Sequence, residues 1–222
     1  MRRAIVINDP LDVEQEISQL GLKLSIAQKV ARAASAARAS ALEVDVAFTP
    51  GMLSHIHGNR HLRLELMPQG WRKGRFNNVE SVINDELGIQ VIFQNVDLAC
   101  DLGHSPQAIS GKGAGSRKLV EAGLQGELWE KPVNSQTLQK EEVSKVGVIP
   151  SVWMFCVSND GRHLRAELSK PFNFDGAQFE DFSKRIFLLN EECSTDPTIS
   201  IKPSSDDDGN SEFDVEVKVV KR

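Results

Sequence analysis

The sequence predicts an α+β fold, with mainly antiparallel sheets and helices packed on one face. Three observations carry that expectation. Runs rich in Val, Ile and Phe, such as 89–98 and 152–157, have strand character. Asp12–Leu20 and Ser25–Leu42 carry apolar residues at helical spacing instead. Finally, Arg60-His61-Leu62-Arg63-Leu64-Glu65-Leu66 returns as Arg162-His163-Leu164-Arg165-Ala166-Glu167-Leu168 with a single change. At a match probability of roughly 0.06 per position, chance produces such a pair in about one chain in a hundred. An internal duplication of a strand-strand-helix-strand unit is therefore expected.

Taken in order, Ala4–Ile7 reads as a first strand, ended by Asn8-Asp9-Pro10. A helix follows over Asp12–Leu20, with Val13, Ile17 and Leu20 on one side and Gly21 as its stop. Ser25 can cap a second helix, whose many alanines allow close approach to a neighbour while Lys29, Arg32 and Arg38 give it a cationic side. Val44–Phe48 alternates like a strand, and 52–59 is looser. The first repeat copy is then expected as a strand, with His61, Arg63 and Glu65 on one face and three leucines on the other. Pro68-Gln69-Gly70 is a turn. Asn77 or Asn78 is expected to cap a helix carrying Val79, Val82, Ile83 and Leu87. A strand over 89–98 completes the first unit.

The second unit opens on the strand 152–157. Asn159-Asp160-Gly161 signals a hairpin leading into the second repeat copy. Phe179, Phe182 and Ile186 suggest a helix, although 186–189 also suits a strand. Thr198–Ile201 and Phe213–Val219 are expected as closing strands, the last alternating Phe213, Val215, Val217 and Val219 with charged residues. The loop Ser204–Ser211 contains three consecutive aspartates. A basic unit over 1–122, a connector over 123–149 with a short helix near Ser135, and an acidic unit over 150–222 describe this organisation.

Charge is distributed unevenly. The chain's formal charge is −5, yet residues 17–79 carry nine cations against three acids, while 80–101 hold five acids and no cation. A basic first half points to an anionic partner or to attraction between the two halves. Three widely spaced cysteines favour reduced thiols and a cytoplasmic protein over a disulfide or zinc framework. No apolar run nears the roughly 20 residues of a membrane helix, so no membrane partner is expected.

These features lead to a non-catalytic nucleic-acid-binding protein, DNA or RNA, without a cofactor. Arg60, Arg63, Arg72, Lys73, Arg75, Lys112, Arg117 and Lys118 would hold phosphates, and Trp71 would stack on bases. The glycine-rich run Ser110–Ser116 ahead of a helix adds backbone N–H groups for phosphate, without being a Walker A loop. The alternatives are a protein–protein assembly subunit, a homo-oligomer included, and a metal-dependent hydrolase or nuclease using His55, His57 and His61. Asp208, Glu216 and Lys218 mimic a nuclease signature, but only four residues follow the lysine.

Overall fold

The structure, a computed structural model, describes residues 4–111, 114–128, 149–172, 174–175, 178–179 and 181–193. The fold is α+β. One sheet of seven strands, in the order β1-β9-β6-β5-β4-β3-β2, runs through the molecule. Its strands are β1 (Ile5–Ile7), β2 (Arg72–Phe76), β3 (Val79–Asn84), β4 (Ile89–Asn95), β5 (Ser151–Asn159), β6 (His163–Pro171) and β9 (Phe182–Glu192). A small hairpin, β7 (Phe174–Asp175) with β8 (Gln178–Phe179), stands apart. Four of the six pairings in the large sheet are antiparallel; β1 with β9 and β4 with β5 are parallel. Strands from 1–122 and 150–222 thus share one sheet.

Helices α1 (Pro10–Gln19), α2 (Leu24–Ala39) and α3 (Thr49–Leu66) pack on one face of it. Asp9 caps α1 by accepting a hydrogen bond from the Leu11 N–H at 3.0 Å, with Pro10 in the first turn where a missing N–H costs nothing. Buried Ala27, Ala31, Ala34 and Ala37 let α2 lie close to its neighbours. On α3, Gly58 meets the ring of Phe93 on β4, and a β-carbon at 58 would overlap that ring. The opposite face packs beneath α4 (Ala114–Leu128), with Leu119 and Val120 against Met154 and Cys156.

Several expectations are corrected. Residues 44–48 form turns, with Val44 89% exposed and no sheet partner among the described residues. The stretch 52–66 belongs to α3, so the first repeat copy is helical and only the second is a strand. The physical reason lies in the leucines. Leu62 and Leu66 are four apart, which suits one side of a helix as well as one face of a strand, and both are buried. Leu64 falls between them and is 58% exposed. In the strand copy Leu164, Ala166 and Leu168 are all buried.

The helix expected from Asn77 or Asn78 is instead the β2–β3 hairpin. Both asparagines have positive φ, 46° and 64°, the conformation a two-residue type I′ turn requires. The helix expected around Phe182 is strand β9, whose backbone pairs with β6. Strands β1, β4, β5 and β6 and helices α1 and α2 lie where the sequence places them, within a few residues. The strands expected at 198–201 and 213–219, the aspartate loop, the helix near Ser135 and the Asp208, Glu216, Lys218 pattern lie outside the described residues.

Candidate functional site

Three of the cations expected to hold phosphate, Arg63, Arg72 and Arg75, are engaged by nearby acids. Arg72 grips Asp85 through two bonds, Nε to Oδ2 at 2.6 Å and Nη2 to Oδ1 at 3.0 Å. Arg63 pairs with Glu80, which Arg75 also approaches at 3.5 Å while donating to the Asn78 side chain at 2.8 Å. The acids come from the run 80–101, and the β2–β3 pairing brings them back onto the basic stretch. On α2, Lys29 meets Glu65 at 2.6 Å and Arg32 meets Glu191 at 2.8 Å. The last pair joins the basic half to the acidic one.

Trp71 is 3% exposed and belongs to the core under α1–α3, so it offers no stacking surface; this corrects its expected role. Arg60 is exposed, with Nη1 3.5 Å from the His57 ring. Lys73 is exposed on β2. Arg117 and Lys118 are exposed in the first half of α4, whose Gly115 backs so closely onto Asn77 that a β-carbon would come 2.8 Å from it. The first turns of α4 and the β2–β3 turn therefore share a corner of the molecule. Lys112 lies outside the described residues.

The histidines do not converge. In a helix, His57 and His61 sit one turn apart and their rings stack with centroids 6.4 Å apart. His55 turns toward Phe93, and its ring lies 3.2 Å from the Asn59 side-chain nitrogen. Among the described residues no group of three or more His, Cys, Asp or Glu side chains could hold a metal ion. Burial holds the His61 imidazole below its ordinary pKa, and the neighbouring His57 pushes the same way.

Reading the second repeat copy as an exposed ionic face misses its main feature. Glu167 is 0% exposed. Its carboxylate accepts from Arg185 Nε at 2.8 Å and Nη2 at 2.7 Å, from the Ser169 hydroxyl at 2.6 Å and from the Cys100 N–H at 2.6 Å. The remaining Arg185 nitrogen donates to the carbonyls of Asp101 and His104, each at 2.9 Å. The pair thus fastens the segment after β4 across β6 and β9. Cys100 sits there with φ 57°, its thiol pushed up to about 12 first by burial and then by Glu167. Strand parity put Glu167 opposite the leucines but could not show that residues 100–104 cover that face.

An apolar stripe on α3 also remains open to solvent. Phe48, Met52, Ile56, Leu64 and Met67 are exposed on α3 and at its ends. All but the last follow at four-residue steps, with Arg60 filling the gap, so they form one ridge. Beside it runs a groove of about 650 Å³ lined by Ile56, Leu64, Met67 and Pro68 with Arg60, Arg63 and Glu80 at its polar edge. A second cleft of about 570 Å³ lies at the start of α3, between Arg38, Phe48, Met52, His55, Asn95 and Ile109. No family model, no curated protein and no solved structure matches this chain.

Proposed function

We propose that this protein is a non-catalytic assembly subunit that docks a partner protein on the outer side of α3. The observation that carries the reading is the exposed ridge Phe48, Met52, Ile56 and Leu64 beside an apolar groove. Apolar side chains clustered in this way, rimmed by polar residues, mark interaction surfaces rather than scattered surface chance. A groove along a helix suits an amphipathic helix, whose anchors fall at i, i+3, i+4 and i+7. Arg60 at its rim favours acidic flanks on that helix.

The test replaces Leu64 with a photo-crosslinking amino acid in the cells that make the protein. One partner is expected, captured through an acidic amphipathic helix and lost when Ile56→Asp is added. Cross-links only to further copies, to nucleic acid, or to nothing overturn this reading.

Nucleic-acid binding is the second reading, and one observation favours it. Exposed Arg117 and Lys118 follow Gly115 of α4, which backs onto the Asn77 turn at the end of the strand that carries exposed Lys73 and Arg75. Cations on phosphates displace counterions, so binding of a labelled DNA or RNA oligonucleotide should fall steeply with salt. Lys73→Glu with Lys118→Glu should abolish it. Salt-independent binding, or none, removes this alternative.

A further inference from the structure

The arginines that the fold takes partly out of water share one habit. Arg63 pairs with Glu80, Arg72 with Asp85, Arg165 with Asp160 and the buried Arg185 with Glu167. Arg38 breaks it. It is half-buried, yet it meets no carboxylate among the described residues. It stands in the last turn of α2, where the helix end offers the equivalent of about half a negative charge. Moving a cation away from water without a full counter-charge is unfavourable. The fold therefore leaves this guanidinium ready for an anion from outside.

Arg38 lines the cleft of about 570 Å³ at the start of α3, and no Asp or Glu among the described residues lines it. Small-molecule sites occupy about 300–1,000 Å³, so the size fits. Its polar lining is fixed in advance. The Asn95 side chain donates to the Gly51 carbonyl at 2.8 Å and accepts from the Ser54 hydroxyl at 2.7 Å. Gln94, only 6% exposed, donates one amide N–H to the Asn95 carbonyl at 2.7 Å, and its other N–H meets no acceptor among the described residues. His55, the other titratable side chain of the cleft, already lies against Asn59 and Phe93. The remaining surface includes exposed Phe48, Met52 and Ile109, which an apolar body would cover.

These features specify a ligand. A guanidinium can give two parallel N–H bonds to the two oxygens of one carboxylate. One arginine balances one negative charge, whereas a phosphate monoester brings about −1.5 to −2. We propose that this cleft is a binding site for a small apolar monocarboxylate, held by Arg38 at its charged end and by Phe48, Met52 and Ile109 along its body. Phe48 and Met52 also belong to the α3 ridge, so the test involves no partner protein and alters only Arg38 and Ile109.

Titration of the ¹⁵N-labelled full-length chain with octanoate, followed through its amide resonances, tests it. Binding should saturate at millimolar concentration or below, with the largest shifts at Gly51, Asn95 and Ile109. The neutral octanamide should bind at least about tenfold more weakly, because it lacks the charge-assisted pair. Arg38→Gln leaves no carboxylate stranded in the fold. It should weaken octanoate by at least about tenfold and leave octanamide unchanged. Ile109→Trp, which narrows the cleft, should weaken both. The absence of saturable shifts at these amides overturns the proposal, as does equal binding of octanoate and octanamide or indifference to Arg38→Gln. Displacement of octanoate by an equal concentration of inorganic phosphate would mean that the cleft reads charge alone, and overturns it too.

Discussion

Glu167 and Arg185 form a two-pronged ion pair sealed from solvent, 0% and 3% exposed, at the junction of β6, β9 and the segment that follows β4. Each polar atom of the pair that the sheet leaves over is used by that segment, through the Cys100 N–H and the Asp101 and His104 carbonyls. Breaking such a pair strands an uncompensated charge in the interior, which costs about 3–5 kcal/mol, whereas replacing both members costs far less. Arg185→Met should therefore lower unfolding stability by about that amount, and Glu167→Leu/Arg185→Met should restore most of it. Urea denaturation of the two variants checks this. Additive losses would mean that the two side chains are not coupled.

The single difference between the repeat copies falls where helix and strand make opposite demands. Leu64 points to solvent and Ala166 into the core. Leu64→Ala should change stability by less than about 0.5 kcal/mol, as surface substitutions do. Ala166→Leu should cost about 1–3 kcal/mol by overpacking. Thermal melts of both variants distinguish this arrangement from two matching strands, in which the substitutions would behave alike.

Gly58 allows α3 to settle on Phe93. Elsewhere on a helix, Gly→Ala is favourable by up to about 1 kcal/mol. Here the added methyl has no room, so Gly58→Ala should destabilise by about 1–3 kcal/mol. Gly58→Ala/Phe93→Leu should be more stable than Gly58→Ala alone, since the smaller side chain clears the space. Chemical denaturation measures both.

Asp160 sits in the β5–β6 turn, and the backbone N–H groups of His163 and Arg162, helped by Arg165, hold its carboxyl down to about 2. A depressed carboxylate contributes stability above its ordinary value of 3.8, and that contribution is lost as pH falls toward 2. Asp160→Asn should therefore flatten the stability profile between those pH values. Denaturant titrations of wild type and variant across that window provide the comparison. The Arg32–Glu191 pair, which also lowers its carboxyl, remains as a background slope in both.

Legibility of the chain depended on whether its residues favoured one period only. α1 and α2 could be read because Val13, Ile17 and Leu20, or Ala27, Ala31 and Ala34, step by four and then by three, which no single strand face can follow. The hairpin at Asn159-Asp160-Gly161 was equally legible from turn chemistry. Leu62 and Leu66 fit both periods, Leu64 fits only the strand, and tertiary packing of α3 on Phe93 decides for the helix. Asn77 and Asn78 suit a helix cap and a tight turn alike; five strand residues on either side of the pair, Arg72–Phe76 and Val79–Ile83, carried the better signal. The candidate site was less visible still. Trp71 beside cations has the composition of a stacking platform, but the helices above the sheet need its ring as core. The charge imbalance was real in the sequence, yet Asp85, Glu80 and Glu191 spend much of it on internal pairs.

The first strand pairs in parallel with the last one described, Ile5 beside Lys184 and Ile7 beside Ile186. On the ribosome, residues 5–7 emerge long before β9, their sheet neighbour among the described residues. Pairing across so large a separation slows folding. Until Phe182–Glu192 leaves the exit tunnel, β6 has an uncovered edge and Arg185 is not yet there to meet Glu167. A stalled nascent chain ending before Phe182 is thus a species whose Glu167 still lacks its partner, and the cell's chaperones would meet that species rather than the finished sheet.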